Sequence, residues 1–461
     1  MSTVDLSGRQ RIHVVGIGGA GMSAIADVLA AMGHEVSGSD LRTSAPLERL
    51  AAAGVAVHVG HDAAYVGPDV DLVAISTAIP ADNVEVVAAE AQGITVARRA
   101  GVLAAIAGLR STVAVAGTHG KTTTSSMLAL VLIAAGVRPS FIIGGDVNEI
   151  GTGSAWDEGD LFVVEADESD GTFLELARHA AVITNVEPDH LEHYGSWSAL
   201  QEAFVRFASE TPGPVVMCAD DDGAATLARR VGATTYGTAE DATYRMVGLT
   251  SGRDGSSFAL VHDGVELGTI VLPVAGAHNA RNAAAAAVTG LALGVPFADA
   301  AAALARFGGV ARRFEHRGEA GGVTFVDDYA HLPTEVAAAV AAAVDGGWGR
   351  VVCVFQPHRY SRTAALWQDF AASFRGADVL VVTDIYASGE APRPGVTGEL
   401  IARAVGDADP AQVVRYLPRR ADVVSFLVDE LRPGDLCLTL GAGDLTTLPP
   451  VVQDARREGT S

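Results

Sequence analysis

The sequence predicts an α/β protein with three domains in series. Short apolar strand candidates alternate with longer helical stretches along the whole chain, a pattern typical of parallel sheets covered by helices on both faces. Three of these strands run directly into a glycine-bearing turn and a helix, beginning near residues 11, 112 and 350. Assigning one such unit to each domain predicts domains at 1–108, 109–313 and 314–461.

The strand candidates are short runs of mainly apolar residues. They are residues 11–17, 71–76, 111–117, 160–167, 180–186, 214–219, 323–329, 350–355, 378–384 and 435–440. Between about residues 236 and 275 the pattern changes to alternating polar and apolar residues with turn signals, as in SSFALVHDGVELGTIVLP. Alternation of this kind is typical of antiparallel strands, so we expect a small antiparallel sheet attached to the middle domain.

Composition excludes several classes of protein. The 461 residues carry a formal net charge of −23, which argues against nucleic acid or an anionic membrane as the main partner. The first residues lack a signal-peptide pattern, and no run of about 18 apolar residues occurs. Cys218, Cys353 and Cys437 each lie in a strand-like run, which indicates buried thiols. We therefore expect a cytoplasmic protein.

The first glycine turn, GIGGAGM, follows a strand and opens a helix. Gly16, Gly18 and Gly21 form a G-x-G-x-x-G frame, and Asp40 follows a second strand about 20 residues further on. The frame predicts a Rossmann-like N-terminal domain that binds a diphosphate at the helix N-terminus. It leaves open a nicotinamide cofactor, another nucleotide diphosphate, or a turn without a ligand. No hydride-transfer site is recognisable elsewhere, which weakens the nicotinamide reading.

The second turn, GTHGKTTT, contains Lys121, the only lysine in the chain. Gly117, Gly120, Lys121 and Thr122 form a G-x-x-G-K-T loop, a shortened form of the phosphate-binding P-loop, between a strand and a helix. Backbone N–H groups of such a loop surround phosphate oxygens, and the threonine hydroxyl reaches Mg²⁺. A compact, flexible ammonium suits this position better than a planar guanidinium. We therefore predict a central P-loop ATPase-type domain.

Acidic residues follow two neighbouring strand candidates of this domain. Glu165 ends one strand and is followed by Asp167, Glu168 and Asp170, while Asp189 and His190 follow the next one. Because ligands of open α/β sheets gather at the carboxyl ends of strands, we expect Lys121, Thr122, Glu165 and His190 to meet around one triphosphate. Thr122, Glu165 and His190 are the predicted metal ligands, for Mg²⁺ or for Mn²⁺ in its place.

Taken together, the motifs resemble the Mur ligases of peptidoglycan synthesis. The resemblance rests on GIGGAGM, GTHGKTTT, EADESD, TNVEPDHLEHYG, GAHNARNAAAA, VDDYAHLPTE, FQPHRYSR and LGAGD, which span residues 12 to about 445 in order. Within the family the pattern is most similar to the alanine-adding branch. The resemblance implies ATP-dependent joining of L-alanine to the lactyl carboxylate of UDP-N-acetylmuramate, with release of ADP and phosphate. It also implies a Rossmann-like C-terminal domain that binds the amino acid.

The resemblance assigns residues to each substrate. The UDP-sugar would be bound by Gly18, Gly19, Ala20, Gly21, Met22, Asp40, Ser76 and Thr77. ATP would be bound by Gly117, Thr118, His119, Gly120, Lys121, Thr122, Thr123, His278, Asn279, Asn282, Arg313 and Asp328. Tyr329 and His358 would contact the amino acid and the muramyl carboxylate, and the catalytic set would be Lys121, Glu165, His190, His331, Arg359 and Arg362. Arg312, beside Arg313, resembles a further nucleotide contact.

The chain departs from the family pattern at two places. Leu332 stands where the family usually has a second histidine, and residues 191–215 contain no lysine, so a carbamylated lysine that bridges metals is excluded. We expect an acyl-phosphate mechanism with domain closure, in which a histidine or carboxylate takes the proton of the amine. We also expect a monomer or weak homodimer. The competing hypotheses are a ligase that adds a preformed peptide and a non-catalytic nucleotide sensor.

Overall fold

The computed structural model describes residues 4–76 and 78–459. It contains three sheets, one in each predicted domain, and all ten strand candidates lie on strands. The chain forms two compact units. The first comprises residues 1–247, 259–270 and 281–307, and the second comprises 248–258, 271–280 and 308–461. No helix within the described residues is long and apolar enough to cross a membrane.

The N-terminal sheet is fully parallel, with the strand order β3-β2-β1-β4-β5. Its elements are β1 Arg11–Val15, α1 Ala20–Ala31, β2 Glu35–Asp40, α2 Ala45–Ala52, β3 Ala56–Val59, β4 Leu72–Ile75, α3 Val84–Ala91, β5 Thr95–Arg98 and α4 Arg99–Ala107. The chain leaves β1 towards β2 and later returns to the other side of β1 through β4. The ends of β1 and β4 therefore flank a topological switch point, where ligands of such sheets bind.

The second sheet has ten strands in the order β15-β14-β13-β12-β11-β10-β6-β9-β7-β8. Its strands are β6 Ser111–Ala116, β7 Ser140–Val147, β8 Thr152–Ala155, β9 Leu161–Glu165, β10 Ala180–Ile183, β11 Val215–Cys218, β12 Thr234–Gly237, β13 Tyr244–Gly252, β14 Gly255–His262 and β15 Val265–Leu272. Its helices are α5 Lys121–Ala134, α6 Leu191–Tyr194, α7 Trp197–Ser209, α8 Asp222–Val231, α9 Ala277–Ala292 and α10 Phe297–Leu304. Because β6 lies between β9 and β10, the three loops that follow these strands are neighbours.

The last strands of this sheet confirm the predicted antiparallel set. Two-residue turns join β13 to β14 and β14 to β15, and strands that are hydrogen-bonded across so short a turn form hairpins. In the second turn Asp263 and Gly264 have φ of 50° and 74°, as the Asp-Gly type I′ turn requires.

The third sheet has the order β16-β17-β21-β18-β19-β20, with only β16 antiparallel to its neighbour. Its elements are β16 Glu315–Ala320, β17 Val323–Asp328, α11 Pro333–Asp345, β18 Arg350–Phe355, α12 Tyr360–Leu366, β19 Val379–Val382, α13 Glu399–Ala408, β20 Val413–Tyr416, α14 Arg420–Glu430, β21 Asp435–Leu440 and α15 Leu448–Gly459. Along β18, Val351, Cys353 and Phe355 pack into one apolar cluster, while Val352 and Val354 pack into another. Helices thus cover both faces, and all three cysteines are buried free thiols, as predicted.

Arg350 ties the start of β18 to β21. Its guanidinium contacts Asp435 Oδ2 at 2.7 Å and Glu430 Oε1 at 2.7 Å, and Asp435 is 2% exposed. We expect Arg350→Met to lower the free energy of unfolding by about 3 kcal/mol, because Asp435 remains as a buried carboxylate without its cation.

Urea denaturation followed by the fluorescence of Trp348 and Trp367, which pack against this core, measures the effect. Arg403→Met is the matched control, because Arg403 is 69% exposed in its pair with Glu399 and such pairs contribute little. Equal shifts for the two variants would contradict the prediction.

Candidate active site

The loop between β6 and α5 has a backbone that only glycine supports at two points. Gly117 has φ of 131°, and a Cβ there would lie 2.1 Å from Thr184 Oγ1. Gly120 has φ of 78°, and a Cβ there would lie 2.6 Å from Asn282 Oδ1. The two glycines therefore let the loop turn tightly at the N-terminus of α5, where backbone N–H groups are available to phosphate oxygens.

The segment after β10 holds this loop in place. Asn185 accepts a hydrogen bond from the His119 N–H through Oδ1 at 2.7 Å and donates one from Nδ2 to the His119 carbonyl at 3.1 Å. Thr184 Oγ1 also donates to the His119 carbonyl at 2.5 Å. Thr118 Oγ1 accepts from the Glu187 N–H at 2.9 Å. The loop is thus preorganised by Thr118, which the sequence analysis assigned to ATP, and by Thr184 and Asn185, which it did not single out.

Lys121 lies inside this loop. Its Nζ donates to the Gly117 carbonyl at 2.6 Å and to Glu168, with distances of 2.8 Å to Oε2 and 3.1 Å to Oε1. Burial lowers the pKa of Lys121, but the negative charges of Glu168, Asp167 and Glu165 outweigh it and raise the pKa above its ordinary value. The ammonium therefore stays charged at neutral pH, surrounded by acceptors that a phosphate can replace.

Thr122 and Glu165 form an oxygen-rich pair beside the lysine. Thr122 Oγ1 donates to Glu165 Oε1 at 2.8 Å, and the Gly144 N–H donates to Glu165 Oε2. Mg²⁺ needs only one or two protein oxygens, because it retains several waters. The pair therefore fits Mg²⁺, because it provides a carboxylate and a hydroxyl next to a phosphate-binding loop.

His190 is not held at this pair. It follows β10 with φ of 54°, and its ring faces Asp189 at 3.3 Å and Glu192 at 3.8 Å. Within the described residues, no group of three His, Cys, Asp or Glu side chains is arranged to hold a metal ion. The third predicted ligand thus stays a prediction.

The first turns of α9 carry the predicted adenosine contacts. Asn282, 7% exposed, faces Gly120 of the loop. Asn279 Nδ2 donates to the Ala275 carbonyl at 2.7 Å, so this amide also fixes the start of its own helix. His278 lies beside Gly276, where a Cβ would approach its ring to 2.5 Å. Thr123, 6% exposed, packs inside α5.

The first glycine turn is closed by Asp40. The Gly18 N–H donates to Asp40 Oδ2 at 2.9 Å, and a Cβ on Gly18 would lie 2.6 Å from Leu47 Cδ1. Gly19 precedes α1, which begins at Ala20 and buries Met22. Gly21 lies next to the guanidinium of Arg99. Close packing of the backbone explains why this turn uses glycine.

Ser76 follows β4 at the same switch point. Its Oγ accepts a hydrogen bond from the Ala78 N–H at 3.3 Å and would lie 3.8 Å from a Cβ on Gly16. The predicted partner Thr77 lies outside the described residues. The turn after β1 and the segment after β4 are thus brought together, as the predicted UDP-sugar contacts require.

In the second unit, Asp328 is buried at the end of β17. It accepts hydrogen bonds from the N–H groups of Phe314 and Ala330, both at 2.7 Å. Burial raises its pKa to about 6, against the opposing charge of Arg313. The guanidiniums of Arg312 and Arg313 both lie over the ring of Tyr329, at 4.8 and 5.2 Å.

Arg312 also contacts the loop that follows β21. Arg312 Nη2 donates to the carbonyls of Gly441 and Gly443 at 2.8 and 3.1 Å, so it holds the LGAGD loop. This contact indicates a structural role for Arg312. Arg312 and Phe314 both have positive φ, 60° and 49°, and such strain is typical of functional loops.

His331, His358 and Arg362 form one cluster beside these residues. The rings of His331 and His358 have centroids 5.7 Å apart, and Arg362 Nη1 lies 3.2 Å from His358 Nδ1. Arg359 precedes α12 with φ of 68°, another position where strain is stored. Leu332, 6% exposed, is the residue before α11 and packs inward.

Comparisons with known proteins show the family of this chain. The profile described as "Mur ligase family, catalytic domain" matches residues 11–110, "Mur ligase middle domain" matches 115–290, and "Mur ligase, glutamate ligase domain" matches 312–443. The chain belongs to the Mur ligase family.

Curated relatives extend the match over nearly the whole chain. UDP-N-acetylmuramate–L-alanine ligase of Acidothermus cellulolyticus is 47% identical over 97% of this chain and 95% of its own length. The enzyme of the same name from Kineococcus radiotolerans is 48% identical over 96% and 95%. Among solved structures, UDP-N-acetylmuramate-alanine ligase of Thermotoga maritima has a TM-score of 0.83 at 28% identity, covering 98% of this chain and 100% of that one.

Proposed function

We propose that this chain joins L-alanine to the lactyl carboxylate of UDP-N-acetylmuramate, with conversion of ATP to ADP and phosphate. The observation that carries the proposal is Lys121, a largely buried ammonium whose side chain is 17% exposed, in a preorganised glycine loop next to an oxygen-rich pair. The choice of sugar nucleotide and amino acid is supported by relatives of that name that match nearly the full length.

In this proposal ATP is bound by the glycine loop before α5 and by the other residues that the sequence analysis assigned to the nucleotide. The loop residues are Gly117, Thr118, His119, Gly120, Lys121, Thr122 and Thr123, and α9 adds His278, Asn279 and Asn282. Arg313 and Asp328 are the remaining proposed nucleotide contacts. Thr122 and Glu165, with His190 as the third predicted ligand, would hold Mg²⁺ or Mn²⁺, which would supply positive charge to the phosphate oxygens. Lys121 exchanges Glu168 for the β- and γ-phosphates and follows the transferred phosphoryl group.

The remaining residues bind the substrates to be joined. Gly18, Gly19, Ala20, Gly21 and Met22 approach the pyrophosphate, while Asp40, Ser76 and Thr77 contact the uridine side. Tyr329, His358, Arg359 and Arg362 contact the amino acid and the muramyl carboxylate. Paired guanidiniums match carboxylate geometry well.

Two steps complete the reaction. The muramyl carboxylate attacks the γ-phosphorus, forming an acyl phosphate while ADP leaves. The amine of L-alanine then attacks the acyl carbon, the new C–N bond forms, and phosphate departs with the electron pair of the broken C–O bond. The protein mainly positions these groups and compensates developing charge.

Phosphate release with UDP-N-acetylmuramate and ATP tests the proposal. We expect turnover with L-alanine and slower turnover with glycine or L-serine, because one methyl or hydroxyl group changes binding by only about 1–3 kcal/mol. A peptide-adding ligase would prefer a tripeptide to L-alanine, and a sensor would bind ATP without releasing phosphate. Either result would overturn the proposal.

A further inference from the structure

Glu335 lies in the first turn of α11, and its carboxylate points back to the two residues that precede this helix. Its Oε2 accepts hydrogen bonds from the backbone N–H of His331 at 2.9 Å and of Leu332 at 3.2 Å. N–H groups at a helix start have no partner in the helix, and a glutamate at this position supplies one. The carboxylate is therefore fixed in orientation.

The same carboxylate determines the tautomer of His331. Nδ1 of His331 lies 3.1 Å from the Tyr329 carbonyl and 3.3 Å from Glu335 Oε2. Both partners are acceptors, so Nδ1 carries the proton and Nε2 presents its lone pair. Among the described residues, no group donates a hydrogen bond to this Nε2.

His358 has the opposite arrangement. Its Nδ1 lies 3.2 Å from Arg362 Nη1, and a guanidinium only donates, so the lone pair of Nδ1 is already used and Nε2 carries the proton. Burial lowers the pKa of His358 to about 4, with further lowering by His331, Arg362 and Arg359. His358 is thus a hydrogen-bond donor rather than a base at neutral pH.

We propose that His331 is the base of the second step and that Glu335 is its positioning residue. The proposal rests on the function proposed above. L-Alanine arrives as an ammonium ion, and Nε2 takes one of its protons before passing it to water. The amine then forms the C–N bond, the C–O bond to phosphate breaks, a second proton of the amine leaves with the phosphate, and the third stays on the amide nitrogen. Glu335 stabilises the transient imidazolium through Nδ1–H.

The surroundings of His331 keep it neutral until that step. Burial lowers its pKa, and the positive charges of Arg362 and Arg313 lower it further, while Glu335 opposes them. The rings of Tyr329 and His358 cover its other sides. Because the neutral form predominates above this pKa, turnover is expected to fall as the pH falls through it, below the ordinary histidine value of 6.5.

A change of nucleophile isolates the role of His331. Hydroxylamine is already unprotonated at pH 7 and reacts with an acyl phosphate without a base. We expect His331→Gln to slow phosphate release with L-alanine about 10²-fold or more, while hydroxamate formation from UDP-N-acetylmuramate, ATP and hydroxylamine stays within a few-fold of wild type. His316→Gln, a change at an exposed histidine of the same unit, is the control and is expected to match wild type in both assays.

The pH profile of Glu335→Gln tests the positioning role. We expect kcat to fall about tenfold and the acidic limb of kcat to move to lower pH, because the carboxylate that raises the pKa of His331 is gone. An unmoved limb would overturn the positioning role, since loss of a helix cap alone lowers stability only. Normal turnover of L-alanine by His331→Gln would contradict the assignment of His331 as the base. An equal loss of rate with L-alanine and with hydroxylamine would contradict it as well. If the wild-type protein released no phosphate, the function proposed above would fail instead.

Discussion

Replacing Lys121 with alanine is expected to lower the rate of ADP formation at least 10³-fold, equivalent to about 4 kcal/mol of transition-state stabilisation. The reason is geometric as well as electrostatic. Nζ lies in the turn of the loop, within hydrogen-bonding distance of the Gly117 and Thr118 carbonyls, and no other lysine exists to replace it. Single-turnover ADP formation with UDP-N-acetylmuramate measures the effect.

Lys121→Arg separates shape from charge. The guanidinium keeps the charge, but it is a rigid planar fork in a space that fits a compact ammonium, so we expect a loss of at least about 10²-fold. Arg138→Ala serves as the control, because Arg138 is 55% exposed and pairs with the surface carboxylates of Asp157 and Glu158. Near-normal rates for Lys121→Arg would show that the loop needs only a positive charge.

The uniqueness of this lysine also permits a direct test of binding. An amine-acylating reagent can modify only one ε-amino group in this chain besides its α-amino group, so mass spectrometry of the peptide that contains Lys121 measures the labelling of that side chain. We expect MgATP to protect it, because the triphosphate then surrounds Nζ. Equal labelling with and without MgATP would place the nucleotide elsewhere.

Much of the fold was predictable, because a buried strand has a characteristic pattern of apolar residues within a short stretch of sequence. A parallel strand covered on both faces consists mainly of apolar residues, so runs such as 350–355 can be recognised as buried strands from the sequence. The three glycine turns were also recognisable, since close approach and positive φ leave glycine few substitutes at positions such as Gly117. These features depend on neighbours in the chain, which a single sequence displays.

Partnerships between distant residues were not predictable. EADESD offers four carboxylates, and only the path of the loop after β9 decides that Glu168 faces Lys121. The side chains of Asn185 and Thr184 form hydrogen bonds to the main chain of the loop. The spacing of the motifs does not predict these contacts. The sequence analysis did not single out Glu335, because its contact with His331 depends on how the chain turns after β17. The roles of these residues follow from three-dimensional contacts.

Glu168→Ala is expected to lower the free energy of unfolding by about 3–5 kcal/mol, the usual result of leaving one member of a buried ion pair alone. Glu168 is 2% exposed and contacts Nζ with both carboxylate oxygens. Urea denaturation measures the loss, with Glu175→Ala at an exposed position of the same segment as control. ATP with Mg²⁺ is expected to stabilise this variant more than wild type, because the triphosphate then supplies the missing negative charge.

Two further results would identify the unpaired ammonium of Lys121 as the cause of the lower stability of Glu168→Ala. In the folded wild type the pKa of Lys121 is raised above 10.5, so the contribution of this ammonium to stability is present below pH 10.5 and is lost as the pH rises through the folded value. Burial raises the pKa of Glu168 above its ordinary value, and this carboxylate is fully charged throughout that alkaline range. The difference in the free energy of unfolding between Glu168→Ala and wild type should therefore become smaller in that alkaline range. Adding Lys121→Met to Glu168→Ala should restore part of the lost stability, since an apolar side chain replaces the buried charge. A double variant less stable than Glu168→Ala would mean that Lys121 stabilises the loop without its partner.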